Sequence, residues 1–166
     1  MLRAAFLFVT CALVAITNTA EAQDSDAPSE DIIMGAWSNQ AECNRTNASR
    51  VSFTQFLASY KARKGTCVAV EGYWHGRALF KASRDARTAK SNTSGHLQKR
   101  RIGLYARSEL LELAPAKPER YLFVGRVGEC ETQWPGAMMV MGYCHYTGGP
   151  ILLVSEAVRT STPSRG

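Results

Sequence analysis

Beyond residue 22, the sequence contains no apolar run long enough to cross a bilayer. The longest later runs, Met138 to Met141 and Ile151 to Val154, have the length of single strands, whereas a membrane-spanning helix needs about 20 apolar residues. The chain also lacks CxxC and HxxxH spacings, which bring zinc ligands together, and no internal repeat stands out. These absences exclude a spanning helix after residue 22 and disfavour a zinc domain or a repeat protein.

Aromatic residues are missing between Phe80 and Tyr105, although this part of the chain is strongly basic. Residues 77–107 contain nine Lys or Arg and a single acid, Asp85. Such a patch attracts polyanions, namely nucleic acid, anionic cell-wall polymer or membrane headgroups. The alternative is a solvated loop that keeps the protein soluble. The missing rings favour this alternative, because proteins that bind single strands usually stack bases on aromatic side chains.

The N-terminus predicts export. Arg3 precedes the uncharged apolar run from Ala4 to Ile16, and Ala20-Glu21-Ala22 is a small-x-small cleavage pattern. We therefore expect residues 1–22 to be a signal peptide that is removed, and the remaining chain to be secreted or periplasmic. We expect residues 23–42 to form a flexible acidic segment, 43–159 a single domain and 160–166 a flexible tail.

Four cysteines lie beyond the predicted cut: Cys43, Cys67, Cys130 and Cys144. In an oxidising compartment they form two disulfides in one of three pairings. Cys130 and Cys144 are symmetric about Ala137, so a hairpin turning at residues 134–137 would place them opposite each other, which leaves Cys43 for Cys67. The competing interpretation is a zinc site that uses Cys130, Cys144, His75 and His145.

One helix has a clear signature. Phe53, Phe56, Leu57 and Tyr60 form an apolar stripe at helical spacing. Ser52 and Gln55 form a capping box. We predict a helix over residues 52–64 that stops at Gly65.

After Gly65 the chain is predominantly strand-like. We predict strands over Cys67 to Trp74, Arg77 to Ala82, Arg101 to Ala106, Tyr121 to Val127, Met138 to Tyr146 and Ile151 to Val158. Residues 83–99 are predicted to be a loop, and Ser108 to Leu113 one or two helical turns. Without βαβ alternation, this order favours a mainly β protein, a small antiparallel barrel preceded by one amphipathic helix.

The pattern resembles small secreted or periplasmic domains of the oligonucleotide/oligosaccharide-binding (OB) fold. The resemblance is carried by the alternating strand Val68 to Gly72, a strand ending in Leu79-Phe80, the strand Ile102 to Tyr105 and the Val-Gly-x-Val strand Val124 to Val127. It implies a five-stranded barrel that binds a ligand. It implies no particular binding residues here, because the chain adds a preceding helix and a cysteine-bearing hairpin.

We expect a non-catalytic exported module, without metal or cofactor, that binds an anionic polymer or another exported protein. The candidate binding residues combine rings, imidazoles and bases near predicted strand ends: Trp74, His75, Arg77, Lys81, Arg84, Lys99, Arg100, Arg101, Tyr143 and His145. Core positions for Trp74 and Tyr143 are the alternative.

Two other functions stay open. An inhibitor or accessory protein would contact its partner through the tip at residues 134–137, with Trp134 as the anchor. A hydrolase would use Glu129, Glu131 or His145. A Cys144–His145 nucleophile pair is disfavoured, because neighbouring strand residues point to opposite faces.

Overall fold

The computed structural model describes residues 32–88 and 100–160. The predicted signal peptide, residues 23–31 of the acidic segment, Lys99 and residues 161–166 lie outside this part of the chain. In chain order the elements are β1 (Ile32–Ile33), β2 (Ser49–Val51), α1 (Phe53–Ser59), a 3-10 turn (Lys61–Arg63), β3 (Cys67–His75), β4 (Ala78–Phe80), α2 (Ser83–Thr88), β5 (Arg101–Tyr105), α3 (Ser108–Glu112), β6 (Glu119–Glu129), β7 (Met139–Val140), α4 (Tyr143–Tyr146) and β8 (Pro150–Arg159).

Five strands close into a barrel in the order β3-β4-β5-β8-β6, and β6 pairs back onto β3. The expected closed, mainly β architecture is confirmed. The expectation of purely antiparallel pairing is wrong, because β5 and β8 run parallel, with Gly103 opposite Ile151. Parallel neighbours need a crossover, and here β6 and the segment after it supply that connection. The short strand β2 adds in parallel to the first half of β3.

Long, bent strands make the closure possible. β6 pairs with β3 along one edge and with β8 along the other, so it is a central strand. The β6–β8 register shifts between Val124 and Gly125, where a side chain on Gly125 would collide with the carbonyl of Leu153. The mid-strand glycine therefore marks a bulge.

The barrel interior is a continuous apolar core. Trp74 is 1% exposed, and its ring packs edge-on against Tyr121 and Phe123 at centroid distances of 5.0 and 5.2 Å. Phe53 and Phe56 of α1 join this core. Trp74 is thus a core residue, the alternative that the sequence left open.

The predicted capping box of α1 is present. The Ser52 side chain accepts a hydrogen bond from the Gln55 amide, and the Gln55 side chain accepts one from the Ser52 amide. The helix is shorter than predicted, since it ends at Ser59 and a 3-10 turn follows. It also follows β2, so it lies within the strand order and is not an N-terminal helix.

The segment after β6 differs most from prediction. The expected strand over Met138 to Tyr146 is limited to Met139–Val140, which pairs with β1, and a short helix begins at Tyr143. The predicted loop over 83–99 likewise begins with α2 over Ser83–Thr88. In both places, packing against the barrel overrides the local strand or loop preference.

Both disulfides have the predicted pairing. Cys43 bonds to Cys67 and Cys130 to Cys144. The argument for the second bond was wrong, however: Cys144 lies in α4, so the bond joins the end of β6 to a helix and not two arms of a β-hairpin. With the two thiols bonded to each other, the zinc alternative is also wrong. The two bonds indicate an oxidising compartment.

Residues 32–42, which the sequence assigns to the acidic N-terminal segment, pack on the barrel. The Ser38 amide donates to the carbonyl of Val154 at 3.2 Å, and its hydroxyl donates to the carbonyl of Leu153 at 2.7 Å. The Cys43–Cys67 bond then ties this segment to the start of β3.

Candidate anion-binding groove

A groove of about 860 Å³ lies between α1 and the described residues that follow β4 and precede β5. We call it the basic groove. It is lined by Thr54, Leu57, Ala58 and Tyr60 on the α1 side, by Lys81, Ala82, Arg84, Asp85 and Arg100 on the opposite side, and by Gly149 and Pro150. One wall is therefore largely apolar and the other is cationic.

Strand register brings two of the bases together. Phe80 ends β4 and pairs with Arg101, which begins β5, in an antiparallel ladder. The flanking residues Lys81 and Arg100 therefore leave the sheet at the same edge. Arg84 is the second residue of α2. These bases were predicted from the sequence as candidate binding residues. Their common groove was not predicted, because it depends on the pairing of β4 with β5.

Asp85 is the counter-charge next to the guanidinium groups of Arg84 and Arg100. It is 9% exposed, and its Oδ1 lies 3.6 Å from Arg100 Nη1 and 3.9 Å from Arg84 Nε. The cationic side chains themselves face solvent, with 80% of Arg84 and 61% of Arg100 exposed. With three bases and one acid, the wall keeps a net positive charge for an anionic ligand.

Asp85 was missed as a site residue by sequence reasoning, although a signal was present. It is the single acid among nine bases in residues 77–107. A lone carboxylate in a basic run is a natural internal counter-ion, which orients its neighbours and limits their mutual repulsion. Leu57 and Tyr60 were assigned to the buried stripe of α1, but both remain partly exposed and also line the basic groove.

The other candidate residues lie elsewhere. Trp74 Nε1 donates to the carbonyl of Gly76 at 2.8 Å, inside the turn after β3. His75 is half-buried, and its Nδ1 has no hydrogen-bond partner among the described residues. Arg77 is exposed beyond that turn. His145 is exposed on α4, where it packs edge-on against Tyr146 at 4.5 Å.

Arg101 and Tyr143 form a separate buried pair. Arg101 follows Arg100 directly, so its side chain points to the other face of the strand. It is 8% exposed, and its guanidinium carbon lies 5.4 Å from the centroid of the Tyr143 ring. Burial raises the pKa of the Tyr143 hydroxyl, and the charge of Arg101 partly opposes that rise.

Residues 130–149, which we call the covering segment, lie over the outer face of β4, β5 and β8. The Tyr143 ring occupies the space that a side chain on Gly103 would need. The Tyr105 hydroxyl donates to the carbonyl of Met141 at 2.7 Å and accepts from the Cys144 amide at 3.0 Å. Trp134 packs on Tyr105 at 4.9 Å, so it is half-buried and not presented at a tip.

The carboxylates of the hydrolase alternative are held in structural contacts. Glu129 is 6% exposed and lies 3.3 Å from both Lys61 Nζ and Lys64 Nζ. Burial opposes ionisation, but the hydrogen bonds from Lys64 and Lys61 outweigh it and hold the pKa of Glu129 below its ordinary value. Glu131 accepts the Gly149 amide at 2.8 Å.

The exposed His145 lies on α4, next to Cys144 in the disulfide. In the part of the chain that the structure describes, no three His, Cys, Asp or Glu side chains cluster as metal ligands would.

Within that same part, no helix has the length and apolar character that crossing a bilayer requires.

Comparison with protein-family models, with curated proteins and with solved structures found no match.

Proposed function

We propose that this protein is an exported binding module that holds an anionic polymer in the basic groove. The predicted signal peptide of residues 1–22 supports export, and the two disulfides agree with it. The observation that carries the proposal is the convergence of Lys81, Arg84 and Arg100 on one groove of about 860 Å³.

We also propose that the barrel is of the OB type. In its support, five strands close with β8 placed between β5 and β6, which gives a Greek-key order. OB barrels bind ligands on the face of their second and third strands, which correspond here to β4 and β5. Because the covering segment occupies that face, we place the ligand in the basic groove, at the edge where β4 ends and β5 begins.

The apolar wall allows the basic groove to bind a ligand through apolar contacts as well as through charge. Leu57 and Tyr60 lie opposite the bases, so a polymer with both anionic groups and apolar or ring surfaces can contact both walls. Long polyanions also gain from the open geometry, because successive charges release counter-ions as they meet successive bases. The geometry does not favour Trp134 as a protein anchor, because that ring is partly buried on Tyr105.

The test compares two variants with the same net charge. Lys81→Gln/Arg84→Gln removes two bases of the basic groove, and Arg50→Gln/Lys117→Gln removes two exposed bases elsewhere. We expect the wild-type protein and the second variant to bind immobilised heparin and to elute above about 0.3 M salt. We expect the first variant to elute earlier, with the slope of log affinity against log salt reduced by about 2.

Equal elution of the two variants would show that net charge alone drives retention, and would refute the groove as the site. Wild-type protein that passes through the resin at low salt would refute polyanion binding altogether. All four substituted residues are exposed, so we expect each variant to fold with a stability within about 0.5 kcal/mol per substitution of the wild type.

A further inference from the structure

The guanidinium of Arg101 is the least satisfied charged group in the part of the chain that the structure describes. The residue is 8% exposed, yet its Nε and Nη2 atoms have no hydrogen-bond partner among the described residues. No carboxylate of those residues lies within 4.0 Å of it, since each ion pair there involves another base. An arginine cannot lose its proton to escape this situation, and an unpaired buried charge is strongly destabilising.

The two free donors have a specific geometry. In a guanidinium group, the Nε and Nη2 hydrogens point the same way along one edge. That edge is the fork that binds the two oxygens of a carboxylate or phosphate side by side. The contact with the face of the Tyr143 ring stabilises the charge, but it leaves these in-plane hydrogens unused.

A third donor lies beside them. The Tyr143 hydroxyl also makes no hydrogen bond of good geometry among the described residues. The residue is 7% exposed, and burial raises the pKa of the hydroxyl above its ordinary value of 10.0, although Arg101 and Thr147 lie near enough to lower it in part. The hydroxyl is therefore a protonated donor at neutral pH. The ring is fixed by its seat on Gly103 and by the neighbouring Cys130–Cys144 bond, so its orientation is built into the fold.

No carboxylate of the described residues forms an ion pair with Arg101. Residues 89–99, which precede Arg100 and Arg101, contain no Asp or Glu. Glu131 on the covering segment is near enough for its charge to act on Tyr143, but its Oε1 accepts the Gly149 amide and it does not pair with Arg101. Asp85 lies with Arg84 and Arg100 on the groove side.

We propose that the Arg101 guanidinium and the Tyr143 hydroxyl form a buried receptor for one small oxyanion, a phosphate or a carboxylate. Two N–H donors bind two oxygens, and the hydroxyl donates to one of them. Because both side chains are more than nine-tenths buried, the receptor takes a single anionic group and not a length of polymer. It is therefore distinct from the basic groove and goes beyond the function proposed above.

The test measures the stability of the oxidised protein, freed of residues 1–22, against the concentration of inorganic phosphate, acetate or chloride at equal pH and ionic strength. We expect phosphate or acetate to raise the denaturation midpoint in a saturable way at millimolar concentration, whereas chloride does not. The oxyanion that saturates at the lower concentration identifies the preferred chemistry. Phosphorus NMR line broadening gives a second, direct readout of phosphate binding.

Variants separate the receptor from general salt effects. Arg101→Gln should abolish the saturable response, and Arg50→Gln, which removes an equal charge at an exposed site, should keep it. If Arg101→Gln does not fold, Tyr143→Phe removes only one hydroxyl and should weaken the apparent affinity about tenfold, the effect of one hydrogen bond to a charged ligand.

Three results would overturn the receptor: no oxyanion effect beyond that of chloride in the wild type, an unchanged response in Arg101→Gln, or an unchanged response in Tyr143→Phe. The Lys81→Gln/Arg84→Gln variant should keep its response to phosphate even though it loses heparin binding. Failure of one proposal is thereby distinguishable from failure of the other.

Discussion

At the scale of single residues, the chain separates charges that the sequence places side by side. Arg100 and Arg101 are neighbours, yet one lines the basic groove and the other is buried against Tyr143. Composition and charge were sufficient to select both as candidates. Their opposite surroundings follow from the alternation of a strand, and could have been predicted only if the first residue of β5 and its partner in β4 had been known.

Glu129 provides a pH test at the same scale. Its pKa is lower in the folded protein than its ordinary value of 4.5. A carboxylate of this kind stabilises the fold above its unfolded-state pKa, and that contribution is lost as the pH falls through the folded-state value. We expect wild-type stability to fall below about pH 4.5, and Glu129→Gln to show a flatter dependence there.

Urea denaturation at pH values from 7 down to 3 measures this difference. Glu112→Gln, at an exposed position on α3, is the control and should keep the wild-type slope. If Glu129→Gln had the same slope below pH 4.5 as the wild type, the lysine pairing of Glu129 would not contribute to acid stability.

At the scale of elements, sequence patterns predicted the secondary structure correctly where the stabilising contacts join residues close in the chain. The capping box of α1 was predicted from Ser52 and Gln55 because both partners lie within one turn. The prediction of a strand over Met138 to Tyr146 was mostly wrong. These residues have strand propensity, but Met141 and Tyr143 contact Tyr105 and Gly103 of β5. Those contacts join positions about 40 residues apart, which a local pattern does not record.

The Tyr143–Gly103 contact predicts how the covering segment is held. A methyl group on Gly103 would collide with the ring of Tyr143. Gly103→Ala should therefore displace α4 and lower the free energy of unfolding by about 1–3 kcal/mol, the usual effect of overpacking.

A double-mutant cycle checks this mechanism by chemical denaturation. Combined with Tyr143→Ala, the Gly103→Ala substitution should cost less than it does alone, because the ring is gone. Strictly additive effects would contradict the close packing of α4 on β5.

At the scale of the whole molecule, closure of a small β barrel was predictable, because the run of strands without βαβ alternation indicated it. The pairing of the four cysteines was predicted correctly among three possibilities, but from a β-hairpin that the structure does not contain, since Cys144 lies in α4. The parallel β5–β8 pair was not predictable, because it depends on where the chain re-enters the barrel after the covering segment. The basic groove was also beyond prediction, since α1, β4 and β5 form it jointly from distant parts of the chain.

If a polyanion binds at the edge where β4 ends and β5 begins, it should shield the backbone there from exchange. Amide hydrogen exchange with and without a heparin oligosaccharide measures this shielding and locates the ligand on the intact protein. We predict increased protection over residues 81–88 and at Arg100, with little change at residues 134–137. Protection confined to the covering segment, or no protection anywhere at saturating ligand, would contradict the account.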